Sequence, residues 1–434
     1  MKRLDKGSGY YRAASPETAT FPPLAGPVQA STLVVGGGFA GLNTALGLAE
    51  RGQRGIVLLE AGQVGHGASG RNGGFVFGGF SLAEAALLAQ LGPERARRLY
   101  LGTVQAVERI RQRIDQYRID CQATDAGVLW VNWFRDPEVL RRRQHLLAEQ
   151  YGVDWEWVPK EELRAQVLST RYHDALLERN ALHFNPLAYA RGLARTAAAQ
   201  GVRLHEASPA IGLARDGAGW RVRTPDGEVR AERVVLACGG YLAGLVGRVD
   251  AAVLPIATYA MVTEPLGARM DSILRTRAAI YDTRFAFDYY RPTPDGRLLW
   301  GGRISVRDRS PAAVERLLRA DLARVFPALE DVRIEHAWSG LMSYARHEMP
   351  QIGEIEPGLW LGQAFGGHGV APTTFGGDLL ASAIAEGDQR WRELGRYGLA
   401  PTYKPAGFLA AQLNYWWLQA RDGFKDLGER FSQR

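Results

Sequence analysis

The chain has 434 residues, of which 46% are hydrophobic and 23% are charged. This is the composition of a globular protein with two lobes or one large domain, and it excludes a disordered or fibrous chain. Two cysteines are too few for a disulfide framework, the opening residues are polar rather than an apolar signal core, and no run of about 18 uncharged apolar residues is present to span a membrane. We therefore expect a cytoplasmic protein.

The formal net charge of +7 does not indicate a nucleic-acid partner. The lysines and arginines are dispersed, whereas a nucleic-acid-binding surface usually gathers them into blocks. The one short run, Arg141-Arg142-Arg143, lies in a region from 92 to 168 that is predicted to be largely charged amphipathic helix, and it is interpreted as a solvated face. No metal-ligand spacing and no convincing nucleophile stands out. The sequence therefore predicts neither a nucleic-acid site nor a metal site.

A dinucleotide-binding pattern lies near the start of the chain. Ser31 to Val35 form a short apolar run that predicts a buried strand, and Gly36-Gly37-Gly38-Phe39-Ala40-Gly41 follows directly. A helix is predicted over 42–50, a turn over 52–55 and a second strand over 56–59. The strand, glycine turn, helix and strand occur in the order that a dinucleotide requires.

Each glycine of this pattern has a physical task. Gly36 permits the tight turn, Gly38 lets a pyrophosphate approach the backbone, and Gly41 lets the helix pack closely on the strand. The amino end of the helix then faces the phosphates. Glu60, at the end of the second strand, suits ribose hydroxyls and would repel the 2′-phosphate of NADP. The ligand is therefore expected to be FAD or NAD.

A second glycine-rich stretch runs from Gly65 to Gly74. It predicts a loop whose backbone runs close against a flat or charged group, and Arg71 within it is suited to neutralise a phosphate. A flexible surface loop is the alternative interpretation of the same residues.

These motifs resemble those of the D-amino-acid oxidase-like family of flavoenzymes, in particular its members that act on γ-glutamylated diamines such as γ-glutamylputrescine. The resemblance rests on the glycine turn and on five further segments: Gly9 to Ser15, Ala68 to Gly74, Asn185 to Tyr189, Arg233 to Tyr241, and Trp360 to Gly362 with Gly366 to Pro372. It covers most of the chain and selects FAD over NAD.

The resemblance implies an α/β fold with two domains. The first is an FAD-binding three-layer Rossmann-like domain, discontinuous over residues 28–90, 180–250 and 335–390. The second is an antiparallel-sheet substrate domain of residues 91–179 and 251–334. Strands are expected over 254–263, 281–291 and 297–303, the last two joined by a turn at Pro294-Asp295-Gly296. A C-terminal helical tail, 391–434, follows.

The resemblance also implies which residues contact the cofactor. They are Gly36, Gly38, Phe39, Ala40, Gly41, Glu60, Ala61, Ser69, Arg71, Asn72, Gly73, Gly74, Ala210, Ala237, Gly239, Gly340, Gly367, His368, Gly369, Val370 and Ala371. Some members of the family attach their flavin through a cysteine in the segment that corresponds to Trp338 to Gly353, and this chain has no cysteine there. FAD is therefore expected to be noncovalent, and Cys121 and Cys238 are interpreted as small buried hydrophobes.

Few acids and bases are expected at the reacting centre, because the flavin supplies the redox chemistry and the protein orients the substrate. The helix that begins near Pro372 is expected to point its amino end at the flavin, with His368 beside it either as an assisting group or as a structural hydrogen-bonding residue. The candidate catalytic residues are His368, Tyr259, Tyr289, Tyr344 and Arg346. Tyr290 is a further candidate for an aromatic pocket, and Arg291 and Arg303 for binding a substrate carboxylate.

The expected function is oxidation of a C–N bond in an amine or amino acid, of the γ-glutamylputrescine type, to an imine. The alternative is a quinone-linked dehydrogenase of a cyclic or D-amino acid such as pipecolate or proline, and a third hypothesis is a flavoprotein-like module without oxidase activity. The electron acceptor, O2 or a quinone, is left open. The tail from Phe408 to Phe424, with Tyr415-Trp416-Trp417, is interpreted either as a helix that packs on the FAD domain or as an interfacial helix that would hold the protein at the inner membrane.

Overall fold

The structure is a computed structural model that describes residues 9–15 and 20–431. Residues 1–8 of the polar opening segment and residues 432–434 of the tail lie outside the described residues. The described helices are α1 (Gly9–Ala13), α2 (Phe39–Glu50), α3 (Glu84–Leu91), α4 (Pro93–Gln116), α5 (Glu138–Leu146), α6 (Lys160–Gln166), α7 (Pro186–Ala199), α8 (Gly247–Asp250), α9 (Pro311–Val325), α10 (Val370–Glu386), α11 (Arg392–Gly395) and α12 (Ala406–Phe431).

The strands fall into two large sheets and one small one. They are β1 (Gly26–Val35), β2 (Ile56–Leu59), β3 (Phe75–Val76), β4 (Val128–Val131), β5 (Glu156–Val158), β6 (Ala175–Glu178), β7 (Leu182–His183), β8 (Arg203–His205), β9 (Gly212–Asp216), β10 (Gly219–Arg223), β11 (Gly227–Leu236), β12 (Leu254–Thr263), β13 (Ala279–Asp282), β14 (Tyr289–Pro292), β15 (Leu298–Ser305), β16 (Ile334–Tyr344), β17 (Gln351–Glu356) and β18 (Leu359–Gln363).

The first sheet has the strand order β17-β18-β11-β1-β2-β8. All of these strands are parallel except β17, and β9 and β10 extend from the first half of β11 as antiparallel strands. β2, in the interior of the sheet, is buried on both faces, and this explains why it is a continuous apolar run rather than an alternating one. The expected three-layer α/β arrangement is confirmed.

Two helices of this domain, α2 and α10, lie side by side and run in the same direction. A Cβ added to Gly377 would lie 2.6 Å from the Cβ of Asn43, and one added to Gly47 would lie 2.9 Å from the Cβ of Ala381. The contacts therefore advance along both helices together, and the two glycines allow the close approach. As a result the amino ends of α2 and α10 both lie at the edge of the sheet where its parallel strands end.

The second sheet has the order β16-β12-β15-β14-β13-β4-β6-β5 and is antiparallel apart from the β13–β4 pair. Its outer face packs on α9 through a core that includes Trp300 and Leu318. Its inner face turns toward the first domain, where Trp338 and Ala260 pack with Leu187 of α7. The sheet therefore stands over the edge at which the helices α2 and α10 begin.

Two of the expectations for this sheet are confirmed and one is wrong. β12 has the expected bounds, and the turn at 294–296 joins β14 to β15, with Gly296 at φ +76°. The expected single strand over 281–291 is divided into β13 and β14. The reason is a turn around the buried carboxylate of Asp282, which accepts hydrogen bonds from the backbone N–H groups of Arg284 (2.8 Å) and Asp288 (2.9 Å).

Other boundaries also differ from the expectation. Residues 92–168 contain β4 and β5 in addition to helices, because these segments complete the second sheet. β16 pairs with β12 along nearly its whole length, so residues 335–344 belong to the second sheet and not to the FAD domain. α12 packs on the substrate domain rather than on the FAD domain, because Gln412 and Asp422 bind the main chain of Val306 and Phe285 there. Among the described residues no helix is long and apolar enough to cross a lipid bilayer.

Candidate active site

The glycine turn after β1 leaves no room for side chains. Gly36 has φ +116°, and a Cβ there would lie 2.5 Å from the Ala237 carbonyl oxygen. A Cβ on Gly41 would lie only 1.9 Å from the Gly36 carbonyl oxygen. The first backbone N–H of α2, that of Phe39, is held by the hydroxyl of Ser69 at 2.9 Å. The turn therefore presents a backbone surface at a helix amino end, as a pyrophosphate requires.

Glu60 ends β2 directly beside this turn. Its carboxylate accepts hydrogen bonds from the backbone N–H groups of Gly37 (2.7 Å) and Gly62 (2.8 Å), and these contacts hold it in one orientation. Burial raises the pKa of Glu60 in spite of these two hydrogen bonds. The N–H of Ser208 donates to the Glu60 main-chain carbonyl (2.8 Å), so the segment that leads to Ala210 runs past the same point. An oriented acid at this position suits ribose hydroxyls.

The glycine-rich loop after β2 is an ordered structure in which Asn72 is the central residue. Its side-chain amide donates to the Ala68 and Ser69 carbonyls (3.1 and 2.9 Å), and its side-chain oxygen accepts from the N–H of Gly74 (2.8 Å). The hydroxyl of Tyr11 donates to the Asn72 main-chain carbonyl (2.7 Å). The interpretation as a flexible surface loop is therefore wrong, since side chains from distant parts of the sequence fix it.

Arg71 of this loop is available for an anion. Its guanidinium lies 3.3 Å from the ring of His66 and 3.5 Å from the Ser339 carbonyl, and within residues 9–15 and 20–431 no carboxylate forms an ion pair with it. A Cβ on Gly340 would lie 3.4 Å from the Cβ of Arg71, so β16 passes close to the loop. An uncompensated guanidinium in the loop whose Ser69 binds the first N–H of α2 fits a phosphate-bearing cofactor.

The remaining residues expected at the cofactor follow strands of the first sheet, lead into the small sheet or open α10. Ala61 follows Glu60, Ala237 and Gly239 follow β11, Gly73 leads into β3, and Gly369, Val370 and Ala371 open α10. The structure therefore brings these predicted segments together.

The loop before α10 is equally close-packed. A Cβ on Gly366, which has φ +64°, would lie 2.1 Å from the Ser81 hydroxyl oxygen, and one on Gly367 would lie 2.7 Å from the hydroxyl oxygen of Tyr344. The Ser81 hydroxyl also accepts a hydrogen bond from the backbone N–H of His368 (3.2 Å). Glycines at 366 and 367 allow these close contacts, which bring Tyr344 and His368 to the amino end of α10.

His368 is a neutral imidazole at pH 7. Burial and the nearby positive charge of Arg143 lower its pKa to about 4. Its Nε2 lies 3.1 Å from the Gly78 carbonyl oxygen, and since a carbonyl only accepts, Nε2 carries the proton and donates it. Nδ1 is then the ring atom that can accept a proton.

Aromatic rings line the inner face of the second sheet next to His368. We call Phe75, Phe77, Tyr281, Phe287 and Tyr289 the aromatic cluster. Phe77 meets the His368 ring edge-on at 4.1 Å and stacks on Tyr281 at 5.6 Å, and Tyr289 meets Phe75 edge-on at 5.6 Å. Phe287, 5.7 Å from Tyr281, is 40% exposed and marks the solvent side of the cluster.

The four candidate tyrosines divide between the two faces of the second sheet. Adjacent strand residues point in opposite directions, so Tyr289 lies in the aromatic cluster while Tyr290 stacks on Trp300 of the outer core at 4.6 Å. Tyr259 also points into the outer core, and its hydroxyl donates to the Arg307 carbonyl (2.6 Å). The structure therefore places Tyr289 in the aromatic cluster and Tyr344 beside Gly367, on the side of His368, and places Tyr259 and Tyr290 in the outer core.

The three arginines expected to bind a substrate carboxylate are occupied or lie elsewhere. Arg291 is buried and donates to the main-chain carbonyls of Gly73 (2.7 Å) and Phe184 (2.8 Å), so it holds the glycine-rich loop. Arg303 forms a two-contact ion pair with Asp321 (2.7 and 2.8 Å) on the outer side. Arg346 is exposed, with its guanidinium 5.9 Å from the Tyr403 ring.

Arg143 is not the solvated residue that its basic run suggests. Its side chain is 18% exposed, forms an ion pair with Glu84 (2.6 Å), and lies between the rings of Trp130 (4.4 Å) and Trp155 (4.6 Å). Although burial acts to raise it, the pKa of Glu84 is lowered by Arg143. The interpretation of this residue as part of a solvated face is wrong. The helical spacing from buried Leu140 was the available signal, because residues three apart share a helix face.

A buried acid, Glu178, is the residue of this region that the sequence reasoning missed. It ends β6 on the inner face and is 7% exposed, and it lies in register with Val128, which is in turn in register with Ala279 of the Tyr281 strand. Its carboxylate accepts one hydrogen bond, from the backbone N–H of Gly78 (3.4 Å), and burial raises its pKa to about 7. Gly78 therefore links Glu178 on one side with His368 on the other.

A family model described as FAD dependent oxidoreductase, abbreviated DAO, matches residues 31–383. The chain belongs to this family. The γ-glutamylputrescine oxidoreductase of Escherichia coli (strain K12) is 33% identical over 394 residues, 88% of this chain and 90% of that protein. A Haemophilus influenzae protein named "Probable oxidoreductase OrdL" is 31% identical, over 88% of this chain and 89% of its own.

The solved structure of glycine oxidase from Bacillus cereus ATCC 14579 has the same fold, with a TM-score of 0.71, 18% identity, and coverage of 86% of this chain and 98% of that one. Membership of the DAO family makes the protein an FAD-dependent oxidoreductase of amines or amino acids. The glycine turn, the oriented Glu60 and the uncompensated Arg71 fit that cofactor.

Proposed function

We propose that the protein oxidises the C–N bond of a cationic amine of the γ-glutamylputrescine type to an imine, with FAD bound noncovalently. The observation that carries the proposal is the aromatic cluster next to the buried acid Glu178, with no arginine of the three candidates beside it. Aromatic faces and a carboxylate attract an alkylammonium group. The sequence similarity to the Escherichia coli enzyme supports the same substrate class.

The placement of the arginines bears on the choice between amines and α-amino acids. An α-amino acid such as proline or pipecolate carries a carboxylate next to the reacting carbon, and such a group is usually bound by an arginine. The described structure offers none of Arg291, Arg303 and Arg346 for that task next to His368. Arg143, whose charge does reach His368, is already paired with the carboxylate of Glu84 (2.6 Å). This arrangement favours a substrate whose reacting carbon has no carboxylate beside it.

FAD, when bound, accepts a hydride from the carbon next to the amine nitrogen. The chain's own residues have to prepare the substrate for that event. An alkylammonium group with a pKa near 10.4 must lose a proton first, at a cost of about 4 to 5 kcal/mol at pH 7. The aromatic cluster lowers this cost by excluding water. Neutral His368 can accept a hydrogen bond at Nδ1 but, with its pKa of about 4, is too weak a base to take the proton from an ammonium group. The amino end of α10 stabilises adjacent negative charge by about 0.3 to 2 kcal/mol.

Noncovalent attachment is supported by the placement of the two cysteines. Cys121 is buried, and the thiol of Cys238 lies 3.4 Å from the Val35 carbonyl beside the glycine turn. Burial raises the pKa of both thiols to about 12, so neither is a ready nucleophile. We expect acid precipitation to release all of the flavin into the supernatant.

The test is anaerobic reduction of the flavin by γ-glutamylputrescine, putrescine, pipecolate, proline and D-alanine, followed as bleaching of the visible absorbance. We expect γ-glutamylputrescine to reduce it fastest and the three amino acids slowest. Fastest reduction by an amino acid would overturn the proposed substrate class. No bleaching by any amine of the panel would overturn the proposed oxidation of an amine.

A quinone-linked dehydrogenase of a cyclic or D-amino acid is the second candidate. The outward side chains of α12, which include exposed Trp416 and Trp417, favour a lipid-soluble acceptor. Reoxidation of the substrate-reduced protein by O2 and by a soluble quinone, compared by stopped flow, separates the acceptors. Reoxidation by O2 at a rate that matches turnover would exclude the need for a quinone.

A further inference from the structure

One face of α12 is apolar and exposed over the whole length of the helix. We call this face the apolar stripe, and its large members are 49 to 70% exposed: Leu409, Leu413, Trp416, Trp417, Phe424, Leu427 and Phe431. The intervals of three, four and seven residues place them on one side of an α-helix. The four aromatic rings alone expose roughly 500 Å², if a ring side chain offers about 150 to 250 Å². A typical monomer has a largest apolar patch of about 300 to 600 Å² in total.

The opposite face of the same helix is anchored to the substrate domain. Gln412 accepts a hydrogen bond from the Ser305 hydroxyl (3.0 Å), and Asp422 accepts one from the backbone N–H of Phe285 (2.7 Å). Asp426 forms an ion pair with Arg171. These polar contacts fix the rotation of the helix about its axis. The apolar stripe is therefore held facing solvent.

The charged side chains that the structure describes on α12 lie off the apolar stripe. Asp422, Asp426 and Glu429 lie on the anchored side, where Glu429 accepts a hydrogen bond from the backbone N–H of Arg135. Lys425 lies 4.3 Å from the ring of Phe134, and the exposed Arg421 pairs with Asp422. An apolar face of this length with aromatic residues, backed by a polar face, is typical of a helix that lies in a membrane interface.

Positive charge flanks the apolar stripe. Arg307 and Arg309 are exposed and line a depression together with Trp416 and Gln412. Within the part of the chain that the structure describes, neither arginine forms an ion pair with a carboxylate. Asp308, between the two arginines, has its carboxylate bound to the Ser339 hydroxyl rather than to either guanidinium group. Two guanidinium groups without a carboxylate partner beside an exposed indole match the phosphates of an anionic lipid headgroup layer.

We propose that the apolar stripe and its two flanking arginines seat this protein on an anionic lipid surface, with α12 parallel to that surface. A second copy of the chain would cover the apolar side chains equally well, but a two-fold contact would add the same arginines from both copies and supply no anion for them. The lipid surface supplies both the apolar layer and the phosphates. The docked helix lies near the solvent side of the active site, since Tyr415 packs 5.7 Å from Phe285, two residues before Phe287 of the aromatic cluster.

The test uses the full-length flavoprotein and vesicles of phosphatidylcholine with or without phosphatidylglycerol, separated by flotation. We expect the protein to float with the vesicles that contain phosphatidylglycerol. The double variant Trp416→Gln/Phe424→Gln should bind at least about tenfold more weakly. The matched control is Ile211→Gln, another large apolar residue that is 58% exposed but lies in the first domain, and it should bind as the parent does. Equal binding by the double variant would overturn the proposal.

The arginines are tested separately. Arg307→Gln and Arg309→Gln should each weaken binding to phosphatidylglycerol vesicles by about fivefold, with a loss that shrinks as salt is raised. Light scattering in the absence of lipid identifies the competing occupant: a dimer that Trp416→Gln dissociates, together with no flotation, would overturn the proposal in favour of self-association. Flavin absorbance and anaerobic bleaching by amine should be unchanged in every variant, so that failure of docking is distinguishable from failure of the proposed reaction.

Discussion

Glu178 is the most informative residue to change, because its burial predicts how the free energy of unfolding depends on pH. It is 7% exposed and accepts a single hydrogen bond, from the backbone N–H of Gly78. The charged side chains that influence its pKa are Arg143, Glu84 and Arg111. Burial raises its pKa from 4.5 to about 7. The folded protein therefore keeps a proton that the unfolded chain releases between these two values.

The sign of the effect follows from this difference in bound protons. Stability is fully present below about pH 4.5, falls as the pH rises through 7, and is constant above that. With 1.36 kcal/mol for each pKa unit, the loss amounts to about 3 kcal/mol. Glu178→Gln keeps an oxygen for the Gly78 N–H and removes the charge. We expect the variant to be up to about 3 kcal/mol more stable than the parent at pH 8 and equal to it at pH 4.5.

The assay is urea unfolding at pH 4.5 and pH 8, followed by circular dichroism, with the exposed Glu149→Gln as the matched control that should show no pH-dependent difference. The same variant tests the proposed role toward the substrate. If Glu178 attracts a cationic amine, KM for γ-glutamylputrescine should rise about tenfold while kcat changes little. Equal stability of Glu178→Gln and the parent at both pH values would refute the reasoning about the buried acid. An unchanged KM would remove Glu178 from substrate binding.

Two further substitutions test the packing around the site. Arg143→Leu leaves Glu84 buried without its countercharge and should lower the free energy of unfolding by about 3 to 5 kcal/mol. The control Arg142→Leu, on the exposed side of the helix, should change it by less than about 0.5 kcal/mol. Both values are measured by urea titration, and equal effects would contradict the ion pair between Arg143 and Glu84. Gly41→Ala places a Cβ 1.9 Å from a carbonyl oxygen and should yield protein without bound flavin, while Gly247→Ala, which meets open space, should keep it. Full flavin absorbance in purified Gly41→Ala would show that the turn does not hold the cofactor.

The elements that could be predicted from the sequence are those set by contacts between near neighbours in the chain. The glycine turn and Glu60 could be placed because strand, turn and helix are local, and the glycine spacing reports backbone approach that only this geometry requires. The strand β12 and the turn at 294–296 were predictable for the same reason, since alternation and turn residues act over a few positions. Arg143 was misjudged because a basic run says nothing about which of its members faces the core.

By itself, then, the amino-acid sequence determined the local elements and the chemistry of the nucleotide-binding edge, because hydrogen bonds and steric contacts between near neighbours set them. Only the tertiary structure decided which face of the second sheet meets the cofactor domain, and hence that Tyr289 lies in the aromatic cluster and Tyr259 in the outer core. It also decided that Arg291 is used to hold a loop and that Glu178 lies buried beside Gly78. Those outcomes depend on pairings between strands far apart in the chain, and period-two alternation in one strand cannot select between its two faces.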